Sequence, residues 1–338
     1  MSIFLNVLFL VLGLTLLIKG ADFFVMGASS IAKKLKVSSM VIGLTIVAIG
    51  TSMPELVVSI SSAAKGSTDL AIGNVVGSNI FNMMVCLGTV AFFSPVKIKQ
   101  SSKKIDFPFL IAVTGMLLIF GCDAILDGLG YNWLSRSESI LLLVILVLYV
   151  YVLVTNARKD RKKFLDQTNE LNLPNDGTHQ EDEVKELKTW QTILYLIGGL
   201  AAVIFGGECV VSTAQFLAIK MGMSEVLVGL TIVALGTSLP ELMTSIMAVR
   251  KGEKDLALGD VIGSNIMNIV LILGTVGTLA QVPISVAMLT DLLILFVFTI
   301  VFVIMCITKK SLNKKEGFVL IAMYLAYMAF AIVRNYCF

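Results

Sequence analysis

Apolar residues run along this chain in stretches of about 20, the length a helix needs to cross hydrocarbon, with short polar breaks between them. The pattern predicts ten membrane helices, near 3–31, 37–64, 70–94, 106–122, 138–156, 189–219, 223–249, 256–280, 286–308 and 316–334. One long polar segment, from about Thr155 to Lys188, divides them into five and five. Its charge passes from basic to acidic, and Pro174 and Gly177 interrupt it. It is shorter than the ~50 residues of a small independent domain, so it reads as a solvated linker. The expected organisation is a five-helix unit over 1–156, a polar linker over 157–188 and a second five-helix unit over 189–338.

The apolar pattern is broken twice in the same way. GLTIVAIGTSMPEL, Gly43 to Leu56, returns as GLTIVALGTSLPEL, Gly229 to Leu242. A second block follows each copy at the same 186-residue offset: AIGNVVGSNIFN from Ala71 to Asn82, and ALGDVIGSNIMN from Ala257 to Asn268. Each copy sets a carboxylate, Glu55 or Glu241, inside a membrane stretch, where a charge is costly and usually faces a site or pathway. Without a nearby intrahelical Lys or Arg, a purely structural role for the pair has little to support it.

The composition agrees with a membrane class: 57% hydrophobic and 14% charged residues, with a mean hydropathy of +0.92, exclude an ordinary soluble domain. Basic residues orient the chain. With the N-terminus outside, the inner loops carry clusters such as Lys33, Lys34 and Lys36, or Arg250, Lys251 and Lys254, while only Lys65, Arg136, Lys220 and Arg334 lie outside. Both termini are then outside and the linker is cytoplasmic, in a multi-pass protein of the cell membrane. Five spans per half make the second half enter from the opposite face, so the repeats are inverted, an arrangement characteristic of secondary transporters. The first span holds Lys19 and Asp22 and shows no small-residue cleavage site after a short apolar core, so it is expected to be retained.

The lipid bilayer is the expected partner, and nucleic acid is not, because the net charge of +3 reflects the inner loops. Cys86, Cys122, Cys209, Cys306 and Cys337 are odd in number, lack CxxC spacing and read as small packing residues. The single histidine, His179, lies in the linker, which leaves zinc or His-based catalysis without its usual residues.

The chemistry of the repeated blocks is that of hard oxygen. Pro54 and Pro240 each remove a backbone donor in mid-span and should free the carbonyl of Gly50 or Gly236. Thr51, Ser52, Thr237 and Ser238 add hydroxyls beside the two carboxylates, and Asn82 and Asn268 add amides. Calcium, with six to eight oxygen ligands, fits such a set, and sodium fits it too. The four-residue spacing of Ser78 with Asn82, and of Ser264 with Asn268, puts each pair on one helix face. Gly73 and Gly77, like Gly259 and Gly263, form GxxxG pairs that allow close helix packing. Asp22 and Glu208, and Asn74 and Asp260, are also related by the 186-residue offset. The first pair reads as a hydrated helix face, with lining or gating of an access path as the alternative, and Asp260 as a vestibule residue, not a direct ligand.

These doubled motifs closely resemble the two alpha repeats of the sodium/calcium exchanger family, within the wider calcium:cation antiporters, over essentially the whole membrane portion. The resemblance implies an all-α, ten-helix inverted-repeat fold with broken helices at a central ion site, transported calcium and sodium, and no cofactor. By motif position it assigns the carboxylates to Glu55 and Glu241. Thr51, Ser52, Ser78, Thr237, Ser238 and Ser264 become hydroxyl or carbonyl contributors, with the backbone oxygens of Ala48 and Ala234. Asn82 is the central amide. Asn268 stands where some microbial exchangers, and characteristically the potassium-dependent branch, have Asp, so the resemblance implies a prokaryotic-type, potassium-independent member. The implied mechanism is alternating access, with three sodium ions exchanged per calcium and the first and sixth helices sliding as the gate; one copy would suffice for transport.

A proton/calcium antiporter of the same superfamily is the nearest alternative, followed by a calcium-permeable channel, which would need no counter-ion. An intramembrane aspartyl protease would lack a second Asp to match the LGD at Leu258 to Asp260.

Overall fold

The computed structural model describes residues 3–126, 128, 130–170, 187–222, 234–308 and 311–337. His179, the acidic part of the linker and the first half of the 223–249 stretch lie outside the described residues. The rest is almost wholly helical. In chain order the main helices are α1 (Ile3–Leu35), α2 (Ser39–Thr51), α3 (Met53–Ala64), α4 (Thr68–Phe93), α5 (Asp106–Phe120) and α6 (Arg136–Glu170). The second half holds α7 (Thr189–Lys220), the turn Ala234–Gly236, α8 (Leu239–Arg250), α9 (Lys254–Leu279), α10 (Val286–Thr308) and α11 (Lys314–Cys337).

Seven of these are long and apolar enough to cross a membrane, and the bent pair α2–α3 makes an eighth. Two of the ten predicted spans are not among them. The 106–122 stretch forms a helix of only 15 residues, and the 223–249 stretch enters the described residues only at Ala234. The repeat itself carries through into the backbone. α3 and α8, α4 and α9, and the two-residue strands β1 (Val96–Lys97) and β3 (Val282–Pro283) begin and end 186 residues apart. Beyond α5 and α10 the offset falls to 178, as between the strands β2 (Trp133–Leu134) and β4 (Ser311–Leu312). The stretch from β1 to β2 is eight residues longer than that from β3 to β4, which carries the difference.

Antiparallel pairing joins β1 to β4, with Val96 opposite Leu312, and β2 to β3, with Trp133 opposite Pro283. Each ribbon thus stitches a loop of one half to a loop of the other, and the basic-residue pattern assigns the two loops of each ribbon to the same face. The centre belongs to α4 and α9, which are 78% and 94% buried over their spans against 17% for α6. Small residues allow this enclosure. A Cβ on Gly259 would come within 2.6 Å of the Met40 carbonyl, and one on Gly263 within 2.7 Å of the Ala48 side chain, so α9 lies directly on α2. Gly73 and Gly77 have no such close backbone neighbour among the described residues, since the counterpart of most of α2 lies outside them.

Candidate ion-binding site

The site is built where the membrane helices break. After Thr51 the backbone leaves helical geometry at Ser52 (φ −82°, ψ 5°) and restarts at Met53 with Pro54 in its first turn, which bends α2 from α3 by 42°. Ser238 makes the same break before Leu239 and Pro240 (φ −92°, ψ 7°). The carbonyl of Gly50, expected to be bare, instead accepts a backbone N–H at the break, because the last turn tightens around it. The break still turns Thr51, Ser52 and Glu55 toward the opposite half. On α4 and α9, Asn82 and Asn268 each open a turn of π-helix at equivalent positions. Such local widening of a helix is frequent at functional sites.

The two carboxylates are held reciprocally. Ser238 Oγ donates to Glu55 Oε1 at 3.0 Å, and Ser52 Oγ donates to Glu241 Oε1 at 3.3 Å, each serine belonging to the other half. Ser78 Oγ adds a bond to Glu55 Oε1 at 3.4 Å and stands 3.0 Å from Ser238 Oγ. Glu55, Glu241, Ser78, Asn82, Ser264 and Asn268 are all buried. Oε2 of both glutamates, Nδ2 of Asn82 and Oδ1 of Asn268 have no hydrogen-bond partner. None of the ion pairs among the described residues involves either glutamate. A buried carboxylate without a basic partner is expensive unless a cation compensates it. Hard oxygens from two carboxylates, hydroxyls and amides suit sodium or calcium. Among the described residues no three of His, Cys, Asp and Glu converge on one metal position, so neutral oxygens must complete any ligand shell.

The remaining predicted residues fall around this core. Thr51 Oγ1 lies 3.4 Å from Ser264 Oγ and also bonds back to the Val47 carbonyl at 3.1 Å. Thr237 Oγ1 donates to Asn74 Oδ1 at 3.3 Å. The Ala48 carbonyl accepts the Ser52 N–H at 3.1 Å and has the Thr51 hydroxyl 3.4 Å away. Ala234 begins the helical turn that leads to Thr237. Asn268 Nδ2 donates to Asn79 Oδ1 at 3.0 Å, and Asn79 Nδ2 to the Asn265 carbonyl at 3.2 Å. Sequence reasoning passed over Asn79 and Asn265, although the GSN triplets repeat them.

It also set Asp260 too far out. Asp260 is buried and accepts from Thr51 (3.1 Å), Ser264 (3.5 Å) and Ser245 (3.3 Å). The other half repeats the pattern with an amide: Asn74 accepts from Thr237 and donates to Ser59 at 3.2 Å. Asp22 and Glu208 lie away from this centre. Asp22 pairs with Lys251 at 2.7 Å, and Glu208 is exposed.

Fold and site together define a multi-pass membrane protein whose two related halves share one buried cluster of oxygen groups. The family model described as sodium/calcium exchanger protein matches residues 5–155 and 191–333. The sodium/calcium exchanger MaX1 of Methanosarcina acetivorans is 35% identical over 345 residues, covering 96% of this chain and 97% of that one. Inner membrane protein YrbG of Escherichia coli is 34% identical, covering 88% and 87%. A solved structure of the sodium-calcium exchanger NCX_Mj superposes with a TM-score of 0.80 at 28% identity, covering 97% of this chain and 99% of its own. The chain belongs to the sodium/calcium exchanger family, and so to the cation antiporters.

Proposed function

We propose that this protein exchanges sodium for calcium across the cell membrane by alternating access. The observation that carries the proposal is the reciprocal grip on Glu55 and Glu241, each held by a serine of the opposite half and each with one buried oxygen unpartnered. Sodium and calcium would both need these two carboxylates, so they compete, and either one neutralises the pair enough for the site to change sides. The empty site, with its charges uncompensated, stays where it is.

In this reading ten spans form two inverted five-helix units, the 106–122 helix and the 223–249 stretch supplying the two that length alone does not count. The termini lie outside and the linker in the cytoplasm, as the basic residues suggest. Three sodium ions would exchange for one calcium. Three sodium ions carry one more positive charge than one calcium across the same fixed carboxylates, so each cycle moves net charge. Asn268 brings an oxygen without a charge, so potassium is not required for balance. The names of MaX1 and NCX_Mj support the choice of ions.

Calcium uptake into proteoliposomes, with the sodium, proton and potassium gradients varied one at a time, tests this. An outward sodium gradient is expected to drive uptake, potassium to leave it unchanged, and voltage to bias it by ~2.3 kcal/mol per charge per 100 mV. Uptake driven by a proton gradient alone would replace sodium coupling with proton coupling. Uptake without any counter-ion would make the protein a channel.

A further inference from the structure

The two long helices α1 and α7 cross backbone to backbone. A Cβ on Gly13, Gly20 or Gly27 of α1, or on Gly199 or Gly206 of α7, would sit 2.5–2.8 Å from an atom of the opposite helix. These glycines recur every seven residues and let the two backbones meet, and Ser30 and Lys34 of α1 bond to Thr192 and Thr189 of α7 at 2.8 and 3.1 Å, so the two helices form a pair that would slide together over the rest. What holds this pair against the other helices must lie elsewhere.

Polar contacts that do so lie toward the Leu35 end of α1. α1 packs along α8, and Asp22 of α1 forms an ion pair with Lys251, the residue that caps α8, at 2.7 Å. Ser29 of α1 and Ser39 of α2 add hydrogen bonds to Glu253, in the turn that follows. The basic clusters place this end on the inner face. The repeat duplicates the ion pair in sequence: 186 residues from Asp22 is Glu208 on α7, and 186 residues from Lys251 is Lys65, the cap of α3. In the structure those two do not pair. Glu208 and Lys65 are exposed, and α7 does not pack along α3 as α1 does along α8. Ser61 of α3 is exposed, whereas its counterpart Met247 of α8 is buried.

We propose that Asp22–Lys251 and Glu208–Lys65 are alternating latches, the first closing the inner side as seen here and the second closing the outer side when α1 and α7 slide. They are positioning residues: they touch no transported ion but set which face the site opens to. The inference rests on the alternating-access reading above. Half-exposed ion pairs bias an equilibrium by about two- to five-fold, which suits a switch that must release.

The test reads sidedness rather than transport. Ser61→Cys and Met247→Cys are labelled with a membrane-impermeant maleimide from the outer and inner face, against the parent with its native cysteines, in choline medium free of sodium and calcium. Asp22→Asn is expected to raise labelling of the Met247→Cys protein from inside and lower that of the Ser61→Cys protein from outside, by about two- to five-fold. Glu208→Gln should move both the other way, and the exchanged pair Asp22→Lys with Lys251→Asp should restore the parent ratio. Unchanged labelling, or the same direction of change for Asp22→Asn and Glu208→Gln, overturns the proposal. Calcium flux measured separately on the same variants tells a failed latch from failed sodium/calcium exchange.

Discussion

The two halves of the candidate site are built on one plan and differ by one ionisable group. In the first, Thr51 donates to Asp260, which Ser245 also supports; in the second, Thr237 donates to Asn74, which is paired with Ser59. All three positions correspond at the 186-residue offset, and the distances, 3.1 and 3.3 Å against 3.3 and 3.2 Å, are nearly equal. Only the chemistry of the middle residue changes. The consequence reaches the central serines: Ser78 leans on Glu55, whereas Ser264 leans on Asp260. A duplicated scaffold thus holds two unequal sets of oxygen groups, and the difference lies beside the break in α2 rather than at the glutamates themselves.

The strongest way to break the comparison is to remove what both halves share. Glu55→Gln and Glu241→Gln keep shape and remove half of the central charge, so each is expected to lower calcium exchange by at least ~100-fold while the protein still inserts. A cation that loses one of two buried carboxylate ligands loses on the order of 3 kcal/mol or more. Exchange at the parent rate by either variant, measured as initial calcium flux, would remove the ion site from these residues.

Asp260→Asn makes the two triads chemically alike without touching the glutamates. The sodium concentration for half-maximal exchange is expected to rise about tenfold, worth ~1.4 kcal/mol, because an uncompensated buried charge within reach of Thr51 and Ser264 no longer attracts a cation. Ser52 and Ser238 keep their glutamates, so calcium affinity should change less. Equal loss for both ions would mean that Asp260 only supports the fold of the break. Asn74→Asp on the Asp260→Asn background moves the charge to the other half and should restore part of the sodium response.

Much of this was legible before any coordinates, and the reasons are specific. Seven long helices and the bent pair α2–α3 follow from apolar length, and the meeting of Glu55, Glu241, Ser78 and Asn82 with the other half follows from polar residues repeated inside them. What stayed hidden depends on angles between helices. Nothing along the chain shows that the break at Ser52 turns Thr51 onto α9, and so Asp260 read as a vestibule residue. The tightening that satisfies the Gly50 carbonyl, and the π-turns at Asn82 and Asn268, are changes of local hydrogen-bond register to which side-chain periodicity is nearly blind. The ribbons joining β1 to β4 and β2 to β3 are two residues long, too short to carry an alternating pattern.

The smallest effect is expected where the halves are covalently joined. Cohesion between them comes from the Ser52–Glu241 and Ser238–Glu55 bonds, the packing of α1 on α7 and of α2 on α9, and the two ribbons, none of which involves residues 168–180. Shortening a connection changes its closure entropy only slowly, by roughly 0.6 kcal/mol for each halving of length. Deleting 168–180 should therefore leave the half-maximal sodium and calcium concentrations of exchange within about twofold of the parent. Flux and thermal stability measured side by side decide the matter. A stable protein that no longer exchanges would give the linker a part in the transport cycle, while a protein that no longer folds would show that the contacts between the halves are weaker than their geometry implies.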